Sequence, residues 1–348
     1  MLHTLDSKPT KQTLTELMND QSSESAVQAQ LDRLTALREA IAQVIVGQRD
    51  VVEQLLIGLL AGGHCLLEGV PGLGKTLLVR SLGQALALDF RRIQFTPDLM
   101  PSDIVGTEIL EEDHGTGKRY FKFQQGPVFT NLLLADELNR TPPKTQSALL
   151  EAMQERTISY AGTTHVLPQP FFVLATQNPL EQAGTYPLPE AQLDRFLLHI
   201  RVDYPDESEE RSILAQTTGS ASGRIEPVMR GDEVIALQKL TREVHVGDDL
   251  LAWITRLVRA SRPQTSAITE VRDWVRWGAG PRAGQSLVLA AKARALLQGR
   301  FAATRDDVKA LAAPVLRHRL LLSFAAEAEQ RGSDDVVAAL LKSVPFAT

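Results

Sequence analysis

Gly69-Val70-Pro71-Gly72-Leu73-Gly74-Lys75-Thr76 fits G-x-x-x-x-G-K-[ST] without a gap, the pattern of a loop that wraps a phosphate. Glycines let the backbone curl until several N–H groups point at one anion. Gly69, Pro71, Gly72, Leu73 and Gly74 form that cradle, and Leu77 follows it. Lys75 has the reach for the β- and γ-phosphates, and Thr76 can set its hydroxyl on Mg²⁺. The bland alternative is an ordinary Gly-rich turn between a strand and a helix. Context favours the phosphate loop. His64–Leu67 reads as a short apolar strand feeding it, and Leu78, Leu82 and Ala85 behind it keep the spacing of one helix face. The N-terminus of that helix adds partial positive charge where the anion would sit.

Hydrolysis of a nucleotide also needs carboxylates. Asn131-Leu132-Leu133-Leu134-Ala135-Asp136-Glu137 places two at the end of a buried apolar strand. Asp136 would hold Mg²⁺, and Glu137 would polarise the water that attacks the γ-phosphate. Without the phosphate loop, the same residues would be two solvated acids ending a strand. Asn178 follows another apolar strand, Phe171–Ala175, and can hydrogen-bond the γ-phosphate or the attacking water; alone, Asn178-Pro179 would read as a turn. Arg195 precedes the last apolar run. It either stabilises charge on a γ-phosphoryl group, in its own site or a neighbour's, or forms a surface salt bridge with Asp194 or Glu190. Arg282 opens a helix after Gly278-Ala279-Gly280-Pro281 and either reaches the nucleotide or stays exposed.

The elements that must position these groups alternate. Strands are expected at His64–Leu67, Phe90–Phe95, Leu132–Ala135, Phe171–Ala175 and Leu197–Val202, with helical patterns such as Thr145–Gln154 between them. That alternation implies an α/β fold with a parallel sheet between helices, whose ligands bind beyond the carboxyl ends of the strands. Two hairpins interrupt it as insertions: Thr107–Leu110 with Tyr120–Phe123, and Thr157–Tyr160 with His165–Leu167 around Ala161-Gly162-Thr163. Phe123, Tyr160 and Tyr120 are expected to pack within the hairpins. After Tyr204 helical periodicity takes over, with Leu250, Ile254, Leu257 and Val258 on one face and Leu289, Ala293, Leu296 and Leu297 on another. Thr304 and Ser333 look like helix N-caps, and Gly219–Gly223 like a loop. The expected division is a mobile polar tail over 1–28, a nucleotide-binding α/β core over 29–204, and an all-helical domain over 205–348. Leu34, Ile41 and Ile45 begin the ordered part as a helix face.

Composition narrows the function classes. The chain of 348 residues carries 43% hydrophobic and 23% charged residues, ordinary for a globular protein large enough for two domains. A net charge of −5 argues against a nucleic-acid surface as the main task. The single cysteine, Cys65, excludes an internal disulfide and reads as core filler. No apolar run approaches the length of a membrane span, and the N-terminus lacks a signal peptide's apolar run, so a cytoplasmic protein is expected.

Taken in order, these motifs resemble the AAA+ ATPases, and within them the MoxR family. The resemblance covers nearly the whole chain after residue 28. It rests on Val44–Gln48, the loop Gly69–Thr76, Phe95–Asp103, Gly126–Phe129 and Ala135–Arg140, and continues through Pro142–Gln146, Leu188–Phe196, Gly278–Arg282 and Val315–Arg319. It implies a fold of P-loop AAA+ core plus helical lid, ATP with Mg²⁺, and a ring, usually a hexamer, with ATP between subunits. Lys75 and Thr76 then match Walker A, Asp136 and Glu137 Walker B, Asn178 sensor 1, Arg195 the arginine finger and Arg282 sensor 2. Val46, Gly47 and Gln48 would lie near the adenine. The hairpins match inserts that face the ring's pore or top surface. Relatives remodel client proteins, often with a von Willebrand factor A domain partner. The chain has Gly280 where much of the family carries Ser, which leaves Arg282 in place. Three other readings stay open: the motor subunit of a Mg²⁺ or Co²⁺ chelatase, a DNA translocase or loader, and an ATP-gated scaffold that hardly hydrolyses.

Overall fold

Five apolar runs become the five strands of one parallel sheet. The computed structural model describes residues 11–45, 47–70, 72–112, 114–115, 117–178, 184–217 and 225–346. Helix α1 (Lys11–Val44) and α2 (Arg49–Leu60) lead into β1 (Cys65–Glu68), the phosphate-loop segment and α3 (Lys75–Ala85). Strand β2 (Phe90–Gln94) and the short α4 (Pro101–Val105) precede a hairpin of β3 (Gly106–Glu112) and β4 (Arg119–Gln125). Then come β5 (Leu132–Asp136), α5 (Pro143–Glu155), a second hairpin of β6 (Thr157–Tyr160) and β7 (Thr163–Val166), β8 (Phe172–Gln177), α6 (Glu190–Leu193) and β9 (Leu198–Arg201). The sheet order is β2-β5-β8-β1-β9.

Alternation along the strands builds two cores. Leu132, Leu134 and Leu174 face α2 and α3 in one apolar cluster, while Leu133, Ala135 and Val173 face α5 in the other. Cys65 is fully buried over Gly58, where a Cβ would overlap its sulfur, so the thiol is the packing group that was expected. Edge strand β2 turns Arg91 and Arg92 outward, charges that blunt an open sheet edge.

The lid is helical: α7 (Glu207–Thr217), α8 (Gly231–Glu243), α9 (Asp248–Ala260), α10 (Thr269–Trp274), α11 (Pro281–Leu297), α12 (Arg305–Leu316), α13 (Phe324–Ala328) and α14 (Ser333–Ser343). Leu250, Ile254, Leu257 and Val258 are buried on the expected face of α9. One element was not anticipated. Val275–Trp277 (β10) pairs antiparallel with Leu321–Leu322 (β11), a ribbon too short to leave a periodic signature. Asp307, fully buried, holds Arg294 and Arg300 at 2.7 Å and accepts the Thr304 N–H and hydroxyl, which caps α12 as expected.

Four local expectations shift. The mobile tail expected over 1–28 is helical from Lys11 in the described part; no Gly or Pro interrupts the chain between Pro9 and Gly47, so propensity alone carries the helix N-terminally. Residues 1–10 and the loop Gly219–Gly223 lie outside the described residues. The second hairpin closes through two residues, Ala161 (φ 47°) and Gly162 (φ 80°), so Thr163 belongs to β7. At α14, Gly332 takes the N-cap position, its N–H donating to Asp335 at 2.8 Å, and Ser333 is the first helical residue. Phe123 packs as expected, stacked 4.3 Å from His165 and 5.3 Å from Tyr160 across the hairpins. Tyr120 donates its hydroxyl to Glu111 instead of joining that cluster.

Candidate functional site

Strand register brings the predicted residues to one edge. Ala135 pairs with Ala175, and Ala175 with Leu66, so three carboxyl ends lie level. Asp136 then stands beside Thr176, and Glu137 beside Gln177, which pairs with Glu68 before the loop. Asn178, buried, lies one residue further, level with Gly69. About 10 Å, two strand spacings, separate β5 from β1, a gap suited to a triphosphate with its metal.

The loop has the backbone that the sequence required. Gly72 (φ 87°) and Gly74 (φ 70°) are left-handed, with no atom within 4 Å of where a Cβ would stand. Gly69 is there for a different reason: a Cβ would come within 2.6 Å of the Val202 carbonyl. Lys75 begins α3 and donates to the Gly69 carbonyl at 2.5 Å, closing the loop on itself. Burial lowers the Lys75 pKa, while Asp136, Glu137 and Glu68 pull it back up, so four charged groups converge here. Thr76 is half-buried in the first turn of α3, and Leu77 is exposed. Pro71 and Val46 lie outside the described residues. Gln48 bridges its segment to the loop, Nε2 donating to the Leu73 carbonyl at 3.2 Å. At Gly47 (φ 68°) a Cβ would overlap the Glu209 carboxylate.

Two adjoining cavities run from this loop toward the lid. One, about 330 Å³, is lined by Glu68, Gly69 and Val70; the other, about 520 Å³, by Gln48, Arg49 and Arg317. They share Arg201, Asp203 and Tyr204. A larger apolar groove, about 700 Å³, lies between α9 and α11, and none of its lining residues belongs to the phosphate loop or β5.

The acids at the end of β5 are held by residues that the sequence did not single out. Arg92 donates to Asp136 Oδ2 at 2.6 and 3.0 Å, and the buried Thr176 hydroxyl donates to Oδ1 at 2.6 Å. The same hydroxyl accepts the Glu137 N–H at 2.8 Å, which fixes the sharp turn where Glu137 adopts φ 57°. Gln94 Nε2 at 2.6 Å and Arg140 Nη1 at 3.0 Å both donate to Glu137 Oε2. Register could have found Gln94, since it pairs with Asp136 on the neighbouring strand. Among the described residues no group of three or more His, Cys, Asp or Glu could hold a metal by itself. Mg²⁺ does not need one. It takes one or two carboxylates with substrate phosphates and water, and Thr76 with Asp136 fits that chemistry.

Arg195 and Arg282 are placed apart from these acids. Arg195 sits in the turn after α6, half-buried, and among the described residues its guanidinium makes no ion pair. Arg282, in the first turn of α11, lies 3.5 Å from Asp194. Asp194 also receives Arg319 Nε at 2.7 Å.

Comparison with known proteins agrees with this geometry. A family model described as "ATPase family associated with various cellular activities (AAA)" matches residues 64–198, and one described as "AAA lid domain" matches residues 268–340. The chain is 44% identical to "Chaperone MoxR1" of Mycobacterium tuberculosis, over 87% of this chain and 80% of that one. It is 34% identical to "Protein MoxR" of Paracoccus denitrificans, over 83% and 88%. A crystal structure of a putative ATPase from Cytophaga hutchinsonii superposes with a TM-score of 0.88 at 39% identity, over 94% of this chain and 99% of that one.

Proposed function

The chain belongs to the MoxR family of AAA+ ATPases, and from that premise we propose that it hydrolyses ATP at sites shared between subunits of a ring.

ATP turnover then drives remodelling of client proteins. The observation that carries this reading is the convergence of Lys75, Asp136, Glu137 and Asn178 at the carboxyl ends of β1, β5 and β8. The name of the Mycobacterium relative supports the remodelling role, and the family resemblance supports a von Willebrand factor A domain partner. Among the described residues no helix is long and apolar enough to cross a membrane, and we place the work in the cytoplasm.

The residues divide the chemistry. Loop N–H groups from Gly69 to Thr76 and the start of α3 bind the phosphates, and Lys75 leaves the Gly69 carbonyl for the β- and γ-phosphates. Thr76 and Asp136 would hold Mg²⁺, which would supply positive charge to offset the negative charge of the phosphates. Thr176 holds Asp136 in place through its hydroxyl. Glu137 leaves Gln94 and Arg140 to take a proton from the attacking water, which Asn178 orients. The base lies toward Gly47 and Gln48, in the cavity shared with Arg201 and Tyr204. Arg195, given to the neighbouring subunit, meets the charge that builds on the γ-phosphoryl group.

Lys75→Ala tests this reading. Removing a charge-assisted contact to two phosphates is expected to weaken ATP binding by about 100-fold, on the order of 3 kcal/mol. Equilibrium titration with ATP and Mg²⁺ measures it. Equal affinity of wild type and variant would put the nucleotide elsewhere.

A further inference from the structure

Asp194 stands between two guanidinium groups of the lid, and the two contacts differ in kind. Arg319 is fixed. Its side chain is 2% exposed, and besides Asp194 Oδ1 it donates to the Phe196 and Leu197 carbonyls, the Val315 carbonyl and the Ser286 hydroxyl. Arg282 is loose. Its side chain is 49% exposed, and its Nη1 lies 3.5 Å from Asp194 Oδ2. Burial depresses the Arg319 pKa, the bond to Asp194 opposes that, and the nearby Arg282 charge adds to the depression. A stronger anion can therefore draw Arg282 away while Arg319 keeps its counter-charge. The next residue in the chain is Arg195.

We propose that Asp194 is a positioning residue, a latch that holds Arg282 off the nucleotide until a γ-phosphate competes for it. The inference rests on the ATPase reading above. It ties occupancy of a subunit's own site, sensed by Arg282, to the turn that carries Arg195 toward the next one. Arg319 anchors that turn throughout, so exchange alters one of two tethers and leaves the segment folded. ADP, which lacks the γ-phosphate, leaves the latch closed.

The test is a double-mutant cycle on equilibrium binding of a non-hydrolysable ATP analogue and of ADP. Asp194→Asn is expected to tighten the analogue about two- to five-fold, the worth of an exposed ion pair, and to leave ADP unchanged. In an Arg282→Ala background the same change should gain nothing. An equal gain in both backgrounds, or an equal gain for ADP, would overturn the latch while Lys75→Ala still loses binding and upholds the ATPase reading. Wild type that binds no nucleotide would overturn both. Asp194→Asn leaves the buried Arg319 without its counter-charge and can fail to fold, so a second measurement uses Arg282→Ala alone. Hydrogen exchange at residues 190–196 should differ between the analogue and ADP in wild type, and that difference should vanish in Arg282→Ala. A difference that persists would overturn the latch.

Discussion

Arg195→Ala is expected to cut ATP turnover by about 10³-fold or more while ATP affinity stays within about a few-fold of wild type. The structure leaves Arg195 little else to do. The salt bridge with Asp194 that the sequence offered as an alternative is not made, because Arg319 and Arg282 occupy that carboxylate. The root of the side chain is nonetheless well held. Asp194 N–H donates to Glu190, Arg195 N–H to Gln192 and Phe196 N–H to Leu193, and Arg319 fastens the turn from the lid. A guanidinium with a rigid base and, among the described residues, no ion pair at its head suits insertion into a neighbour's site, where it would meet charge that exists only in the transition state. Wild-type turnover per subunit should therefore climb with protein concentration, as shared sites form, and the variant should stay flat. Steady-state hydrolysis across concentration, with a parallel binding titration, measures both. Wild-type rates in the variant would take Arg195 out of the chemistry.

Glu137→Gln should bind ATP about as well as wild type and turn it over about 10²- to 10⁴-fold more slowly. The substitution keeps shape and removes only the proton acceptor. Glu137 is held by the Thr176 hydroxyl at its N–H and by Gln94 and Arg140 at its carboxylate, so its position is set by hydrogen bonds that an amide oxygen can still accept. On the proposed reading nucleotide binding draws on the phosphate loop and Asp136, which the change leaves alone. Single-turnover hydrolysis beside a binding titration separates the two effects. Turnover within about ten-fold of wild type would take the general-base role from Glu137.

Contiguous features were legible in the sequence. The phosphate loop is a run of eight residues, and its backbone follows from Gly72 and Gly74, which the pattern names. The sheet was legible because β1, β5 and β8 are buried on both faces and so read as unbroken apolar runs. Contacts across the fold were not. Gln94 reaches Glu137 through a strand pairing 43 residues apart, and Arg319 reaches Asp194 across 125. Arg92 reaches Asp136 across 44 residues, from a position that pairs with Leu134 on the neighbouring strand. The ribbon of β10 and β11 escaped because two or three residues carry no period. The N-terminal part of α1 escaped because Lys11–Val27 is polar, with no apolar stripe to announce a helix.

Mixing two inactive variants tests the shared site most directly. Lys75→Ala subunits keep Arg195 but bind ATP about 100-fold more weakly, so their own sites stand empty at ATP levels that fill the wild type, and Arg195→Ala subunits bind ATP but give no guanidinium. At each junction where an Arg195→Ala subunit's loop meets a Lys75→Ala neighbour's Arg195, one complete site forms. Combined in equal amounts, the two should recover about a quarter of wild-type turnover, the share of such junctions in randomly mixed rings. Turnover no greater than the sum of the separate variants would contradict the account and return Arg195 to its own subunit.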